Sequence, residues 1–137
     1  NRLGKTIALV LIMMMGLGQA QDAALQKSLE NVYVFWRNAM IKKDLPAWQK
    51  VTAAHRQQTV KNRLNSERRV FPKAIFEVPT SPPALTGLQA VQVKRNGRTA
   101  KCIYYGKIDF GVGGDPTDNL LVVDFVQEAT GWKYDVA

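Results

Sequence analysis

The sequence predicts an α+β domain, in which N-terminal helices pack on a curved, antiparallel, four-stranded meander. Three observations indicate this class. Apolar residues recur at helical spacing in the first half of the chain, an Asn-Gly pair joins two alternating segments in the second half, and two more alternating segments follow. The length of 137 residues and the 46% hydrophobic content suit one globular domain and exclude a disordered chain.

The first 20 residues are expected to be an export signal. Arg2 and Lys5 precede an uncharged apolar run that ends at Gly18, and the small residues Gly18 and Ala20 suit a signal peptidase. The alternative is a retained membrane anchor, but the run is shorter than the about 20 apolar residues that span a bilayer. We therefore expect cleavage after Ala20, a periplasmic or secreted location, and a single domain over residues 21–137.

Three helices are predicted before the sheet. Asp22 suits the N-cap of the first, and Asp44 suits that of the second, with Pro46 in its first turn. The third is expected from about Ala53 to Arg68. The inward stripe of the first helix, with spacings of 4, 3, 4 and 4 residues, consists of Leu25, Leu29, Val32, Trp36 and Met40, widened by Tyr33 and Phe35.

Strands are predicted after a proline-rich loop at residues 77–86. An Asn96-Gly97 turn joins the first two into a hairpin, and a polar, glycine-rich connection at 111–119 leads to the third. The alternation in the last strand directs Trp132 and Tyr134 into the core and Lys133 away from it. The four predicted strands are 88–95, 98–110, 120–127 and 132–136, and the inner face of the second carries Ala100, Cys102, Tyr104, Ile108 and Phe110.

Several short segments resemble the nuclear transport factor two-like superfamily, including its SnoaL-like and exported bacterial branches. They are Val32-Tyr33-Val34-Phe35-Trp36, the Lys43–Trp48 restart, and Phe125–Glu128 with Gly131-Trp132-Lys133-Tyr134. The resemblance implies a sheet curled round a long helix into a cone, with a pocket at its open end. A cystatin-like sheet wrapped on a helix is the competing fold. Many members of the superfamily insert a strand pair before the third helix, whereas residues 52–69 have a helical pattern throughout.

Aromatic side chains are the main candidates for a ligand pocket. They have two interpretations, since such residues either line a pocket or fill a core. The candidates are Tyr33, Trp36, Trp48, Tyr104 and Trp132.

Acid–base chemistry depends on one histidine. His55 is the only side chain that titrates near neutral pH without perturbation. The resemblance to SnoaL-like enzymes implies a His, an Asp or both inside the cone as general base, so His55 with Asp109 or Asp124 is the candidate pair. The alternative is a surface histidine beside Arg56.

Positive charge is concentrated in the helical half of the chain. From Lys42 to Lys73 there are nine basic and two acidic residues, a balance of +7. Two interpretations stand: a contact site for an anionic envelope or extracellular surface, or a solvated helix face. Nucleic acid is not expected as a partner of an exported protein. The residues proposed for an anionic surface are Lys61, Arg63, Arg68 and Arg69.

The sequence contains few other chemically reactive side chains. One cysteine and one histidine exclude a disulfide framework and a cysteine- or histidine-rich zinc site, and we expect neither metal nor cofactor. The sequence therefore favours an exported, non-catalytic module that binds a small apolar or aromatic ligand or a protein, with a homodimer through the sheet as a further candidate. The alternative is a small cofactor-free SnoaL-like hydrolase, isomerase or dehydratase that uses His55 with a carboxylate.

Overall fold

Three helices precede a four-stranded antiparallel sheet, as predicted. The computed structural model describes the backbone of residues 2–110 and 113–136, and the side chains of residues 22–110 and 113–136. The expected signal segment and its cleavage site therefore lie outside the residues whose side chains are described. Among the described residues, no helix combines the length and the hydropathy needed to cross a membrane. The elements are α1 (Arg2–Lys42), α2 (Leu45–Val51), α3 (Ala54–Ser66), β1 (Gln89–Asn96), β2 (Thr99–Ile108), β3 (Thr117–Glu128) and β4 (Gly131–Val136).

Helix α1 lies against the inner face of the sheet, where it contacts β1 and β4. The predicted stripe is buried at Leu29, Trp36 and Met40, and Tyr33 is 1% exposed. Phe35, which was expected to widen this stripe, is instead exposed, with the Lys50 ammonium 5.8 Å from its ring. The helical period thus located the buried stripe but overestimated its width by one residue.

The turn between α1 and α2 follows the predicted chemistry. The Asp44 carboxylate accepts a hydrogen bond from the Ala47 amide at 3.2 Å, and Pro46 lies in the first turn of α2. Because that amide has no partner within the helix, the cap stabilises the start of α2 by about 1 kcal/mol. This corner turns the buried face of α2, with Trp48 and Val51, toward α1.

The strands pair in the sequential order β1-β2-β3-β4. The hairpin between β1 and β2 forms where it was predicted, although its two loop residues are Gly97 and Arg98, since Asn96 already pairs with Thr99. Gly97 has a φ of +61°, a conformation that favours glycine. Strand β3 begins three residues earlier than predicted, at Thr117, because residues assigned to the connection pair with the end of β2.

One face of the sheet forms the core with the helices. Ala100, Cys102 and Tyr104 of β2 lie opposite Phe125, Val123 and Leu121 of β3, and all six are buried. Ile108 is buried too, whereas Phe110, predicted on the same face, is 48% exposed. Alternation therefore predicted this face correctly as far as the end of β2.

The corner between α2 and α3 extends the free edge of β4. Thr52 forms a parallel bridge with Tyr134, and the Ala53 amide donates to the Tyr134 carbonyl at 2.8 Å. Lys133, which was expected to point to solvent, is buried beside this corner, and its ammonium donates to the Lys50 carbonyl at 2.6 Å. The alternation of residues along β4 could not predict the burial of Lys133, because the corner that covers this side chain comes from a distant part of the chain.

Candidate functional site

A cavity of about 410 Å³ lies between the inner face of the sheet, the three helices and the proline-rich loop. Its volume falls within the ~300–1,000 Å³ of typical small-molecule sites. The helices and the corner between α2 and α3 contribute Tyr33, Trp36, Met40, Trp48, Thr52, Arg56, Val60 and Arg63, and the remaining wall consists of Ile75, residues 78–83, Asp109, Phe110, Leu121 and Tyr134.

Stacked aromatic rings form part of the cavity wall. The rings of Trp36 and Tyr134 are 3.8 Å apart between centroids and 15° from parallel, and Tyr33 adds a tilted contact at 5.7 Å from Trp36. Tyr33 and Trp36 are neighbours because residues three apart on a helix share a face. Tyr134 meets them because its pairing with the buried Phe125 directs it to the inner face. Planar, apolar wall surface of this kind suits an aromatic or aliphatic ligand body.

Among the described residues, two buried polar groups of the wall have no hydrogen-bond partner. They are the indole nitrogen Nε1 of Trp36 and the hydroxyl Oγ1 of Thr52, whose residues are 8% and 2% exposed. Leaving a buried donor unsatisfied costs about 1–3 kcal/mol, and most buried polar groups of native proteins are paired. Both residues border the cavity, although the two atoms themselves are covered by the surrounding wall.

The proline-rich loop is fixed to α1 by two hydrogen bonds. The Tyr33 hydroxyl donates to the Pro83 carbonyl at 2.6 Å, and the Arg37 Nε donates to the Pro82 carbonyl at 2.7 Å. Burial raises the pKa of Tyr33 to about 12, against the opposing effect of the Arg37 charge. The phenol therefore remains a donor at neutral pH, and the loop is held as one wall of the cavity.

The charged part of the wall comes from α3 and from the end of β2. Arg56 and Arg63 are seven residues apart with Val60 between them, so all three share a helix face. Among the hydrogen bonds and ion pairs of the described residues, none involves the guanidinium of Arg56 or Arg63. Asp109 contributes a carboxylate. The wall thus carries two cationic groups and one anionic group.

The structure places some of the predicted pocket residues in the cavity wall and others outside it. Tyr33, Trp36 and Trp48 line the cavity, whereas Tyr104 and Trp132 do not. The buried Tyr104 hydroxyl donates to the Glu30 carboxylate at 3.1 Å, and burial is the main cause that raises its pKa. Trp132 is only half-buried and lies beneath the Arg95 guanidinium, 5.2 Å from its ring.

The three acid–base candidates do not converge. His55 lies outside the cavity wall with 62% of its side chain exposed, and its Nε2 is 2.7 Å from Asp135 rather than near Asp109 or Asp124. Asp109 borders the cavity, and Asp124 pairs with Lys101 at 3.8 Å. The expected pairing of His55 with Asp109 or Asp124 is therefore not formed, because α3 approaches the sheet at the edge of β4.

The four basic residues proposed for an anionic surface also have separate surroundings. Arg63 borders the cavity, the Lys61 ammonium lies 5.5 Å from the Phe71 ring, and Arg68 is exposed. Arg69 contacts the carboxylates of Glu67 and Glu77 at 3.6 and 3.1 Å, which offset its charge. Only part of the positive charge in this segment is therefore directed to solvent without a neighbouring carboxylate.

Cys102 and the acidic residues provide no further site. Cys102 is fully buried, and burial raises the pKa of its thiol to about 11, so the nucleophilic thiolate is disfavoured. Within the described part of the chain, no group of three or more His, Cys, Asp or Glu side chains could hold a metal ion.

Sequence reasoning missed several cavity residues. Arg56 and Arg63 flank Val60 at helical spacing, a signal that could have placed them at the buried edge of α3. The 3-10 turn at Lys73–Phe76, which buries Ile75, has too few residues for a periodic signal.

Comparison of the chain with protein-family models, with curated proteins and with solved structures finds no match.

Proposed function

We propose that the protein is a non-catalytic module that binds a small molecule in the cavity described above. The observation that carries this proposal is a cavity wall that combines stacked aromatic rings with two polar groups, Trp36 Nε1 and Thr52 Oγ1, that have no partner among the described residues. Because both atoms are covered in the free protein, an oxygen of a bound ligand would reach either group through a small side-chain adjustment and recover the free energy that its burial costs. The stacked Trp36 and Tyr134 rings would contact the apolar body of the same ligand.

The charged wall narrows the ligand class to carboxylates with an apolar or aromatic body. Arg56 and Arg63 offer two guanidinium groups, and such groups bind carboxylates in planar, charge-assisted hydrogen bonds. Asp109 opposes one of the two charges, so the wall retains a net positive charge. A neutral molecule with the same body would lack the charge-assisted hydrogen bonds to the arginines.

Catalysis by His55 is the weaker candidate. A general base must reach the substrate within hydrogen-bond distance, and His55 is paired with Asp135 outside the cavity wall.

We further propose, as the sequence resemblance implied, that the chain is related to nuclear transport factor two-like proteins. Its helices before a four-stranded antiparallel sheet, with a cavity between them, support that relation. Export remains a proposal from the N-terminal sequence.

Replacing Thr52 with valine is expected to stabilise the fold and to weaken ligand binding. Valine has nearly the same shape but no hydroxyl, so the free energy of unfolding should rise by about 1–3 kcal/mol. A ligand whose oxygen accepts a hydrogen bond from the Thr52 hydroxyl should bind about tenfold more weakly to the variant. Urea unfolding measures the first effect, and quenching of tryptophan fluorescence by 2-naphthoate measures the second.

Thr59 is the matched control for this substitution. It is an exposed threonine on α3 whose hydroxyl already donates to the His55 carbonyl at 2.9 Å. Thr59→Val should neither stabilise the fold nor alter naphthoate binding. If Thr52→Val left the affinity for naphthoate unchanged, the cavity hydroxyl would have no role in binding, and the proposed site would be wrong.

The contribution of the two arginines can be tested with two ligands of nearly the same shape, one negatively charged and one neutral. We expect 2-naphthoate to bind about tenfold more tightly than 2-naphthamide, since a charged hydrogen bond contributes about 1.5–3 kcal/mol. Arg56→Gln and Arg63→Gln should each remove part of this preference without weakening naphthamide binding. The control is Arg68→Gln, which changes the same charge outside the cavity wall. Equal affinities for both ligands would contradict the carboxylate class and leave the cavity itself as a binding site.

A further inference from the structure

The sheet face opposite the helices carries exposed apolar side chains at its centre. Tyr105 of β2 and Leu120 of β3 are 46% and 54% exposed, and they lie directly opposite each other in the strand pairing. Ile103 and Val122 form the next pair on this face and are half-buried. We call these four residues the outer strip. Adjacent exposed apolar side chains of this kind are candidates for contact with another protein surface.

Charged pairs flank the outer strip at both ends. Lys101 pairs with Asp124 at 3.8 Å, and Lys107 pairs with Asp118 at 3.9 Å. Both lysines belong to β2, and both aspartates belong to β3. The face is therefore divided along its length into a positive strand and a negative strand, with the outer strip between the two charged ends.

This division suits contact with a second copy of the same face. Two copies can be related by a two-fold axis that runs parallel to the strands, midway between β2 and β3. If this axis lies about 5 Å above the sheet, the two sheets are separated by the ~10 Å that is typical of packed sheets. The axis places β2 of one copy over β3 of the other. Because residues 101, 103, 105 and 107 pair with residues 124, 122, 120 and 118, each β2 side chain then faces its own pairing partner from the second copy.

We propose that the protein forms a homodimer through this face, with the outer strips in contact and Lys101 and Lys107 of each copy opposite Asp124 and Asp118 of the other. The two-fold contact requires the same patch to complement itself, and the separation of lysines on β2 from aspartates on β3 provides that complementarity. Four cross-copy ion pairs would surround the apolar centre. The helices and the cavity lie on the other side of the sheet, so the dimer leaves the proposed binding site accessible.

Charge reversal at one position tests the proposed pairing. In the Lys101→Asp variant, an aspartate faces Asp124 of the second copy at two symmetric places, and we expect the dimer dissociation constant to rise by roughly 100-fold or more. The Asp124→Lys variant places lysine against Lys101 in the same way. An equimolar mixture of the two variants should restore a heterodimer, because each aspartate then faces a lysine across the interface.

Sedimentation of the full chain and of each variant provides the measurement, and Lys61→Asp on the exposed surface of α3 is the matched control. Thermal unfolding of each variant separates loss of the dimer from loss of the fold, since exposed ion pairs contribute only about 0.2–1 kcal/mol to stability. A monomeric wild type would overturn the proposal. Protection of Tyr105 from chemical modification in such a monomer would assign the face to a segment outside the described residues. Single variants that remain dimeric would also overturn it.

Discussion

Replacing Phe125 with alanine is expected to lower the free energy of unfolding by about 3–5 kcal/mol. Phe125 is 2% exposed and lies between Ala100 of β2 and Tyr134 of β4, so truncation removes a large buried ring and leaves a cavity. The loss is a large part of the ~5–15 kcal/mol that stabilises a small domain. Urea titration followed by far-ultraviolet circular dichroism measures it.

Trp132→Ala is the matched control, because Trp132 lies on the same face in the neighbouring strand. Its ring is half-buried and covered by the Arg95 guanidinium, which itself donates to Gln127 at 2.9 Å. Truncation there removes less buried apolar area, so the loss should be smaller than that of Phe125→Ala. A loss at Trp132 equal to that at Phe125 would contradict the half-buried position of Trp132 at the margin of the core.

Stability should fall steeply at alkaline pH. Burial raises the pKa of Cys102 from 9 to about 11 and the pKa of Tyr33 from 10 to about 12, and it raises the pKa of Tyr104 as well. Each group holds its proton more tightly in the folded chain than in the unfolded chain. The unfolded chain therefore binds fewer protons above the unfolded pKa, and the free energy of unfolding decreases as pH rises.

The expected window runs from about pH 9 to about pH 12, with each two-unit shift contributing a loss of about 3 kcal/mol. Urea titrations at a series of pH values measure the slope. Cys102→Ala removes the group that begins to titrate first, so this variant should show little dependence between about pH 9 and pH 10, where the wild type already declines. A stability that stays constant to pH 11 in the wild type would contradict burial of these three groups.

Local sequence patterns determined the class and order of the elements. The spacing of Leu29, Trp36 and Met40 locates the buried face of α1, and Gly97 permits the tight hairpin turn. The alternation from Ala100 to Ile108 assigns the inner face of β2. These predictions succeeded because helical period, turn conformation and strand alternation depend on residues that are close in the chain.

The candidate site depended on contacts between distant residues. Tyr33 meets Pro83, and His55 meets Asp135, across separations of 50 and 80 residues. No local pattern specifies such pairs, so the sequence could not decide that Tyr104 would meet Glu30 while Tyr134 would line the cavity. The sequence by itself determined the buried face of most elements, but it did not predict the exposure of Phe35 and Phe110 or the burial of Lys133. Only the tertiary structure decided which buried side chains pack against each other and which leave a cavity, because that depends on how helices and sheet fit together in space.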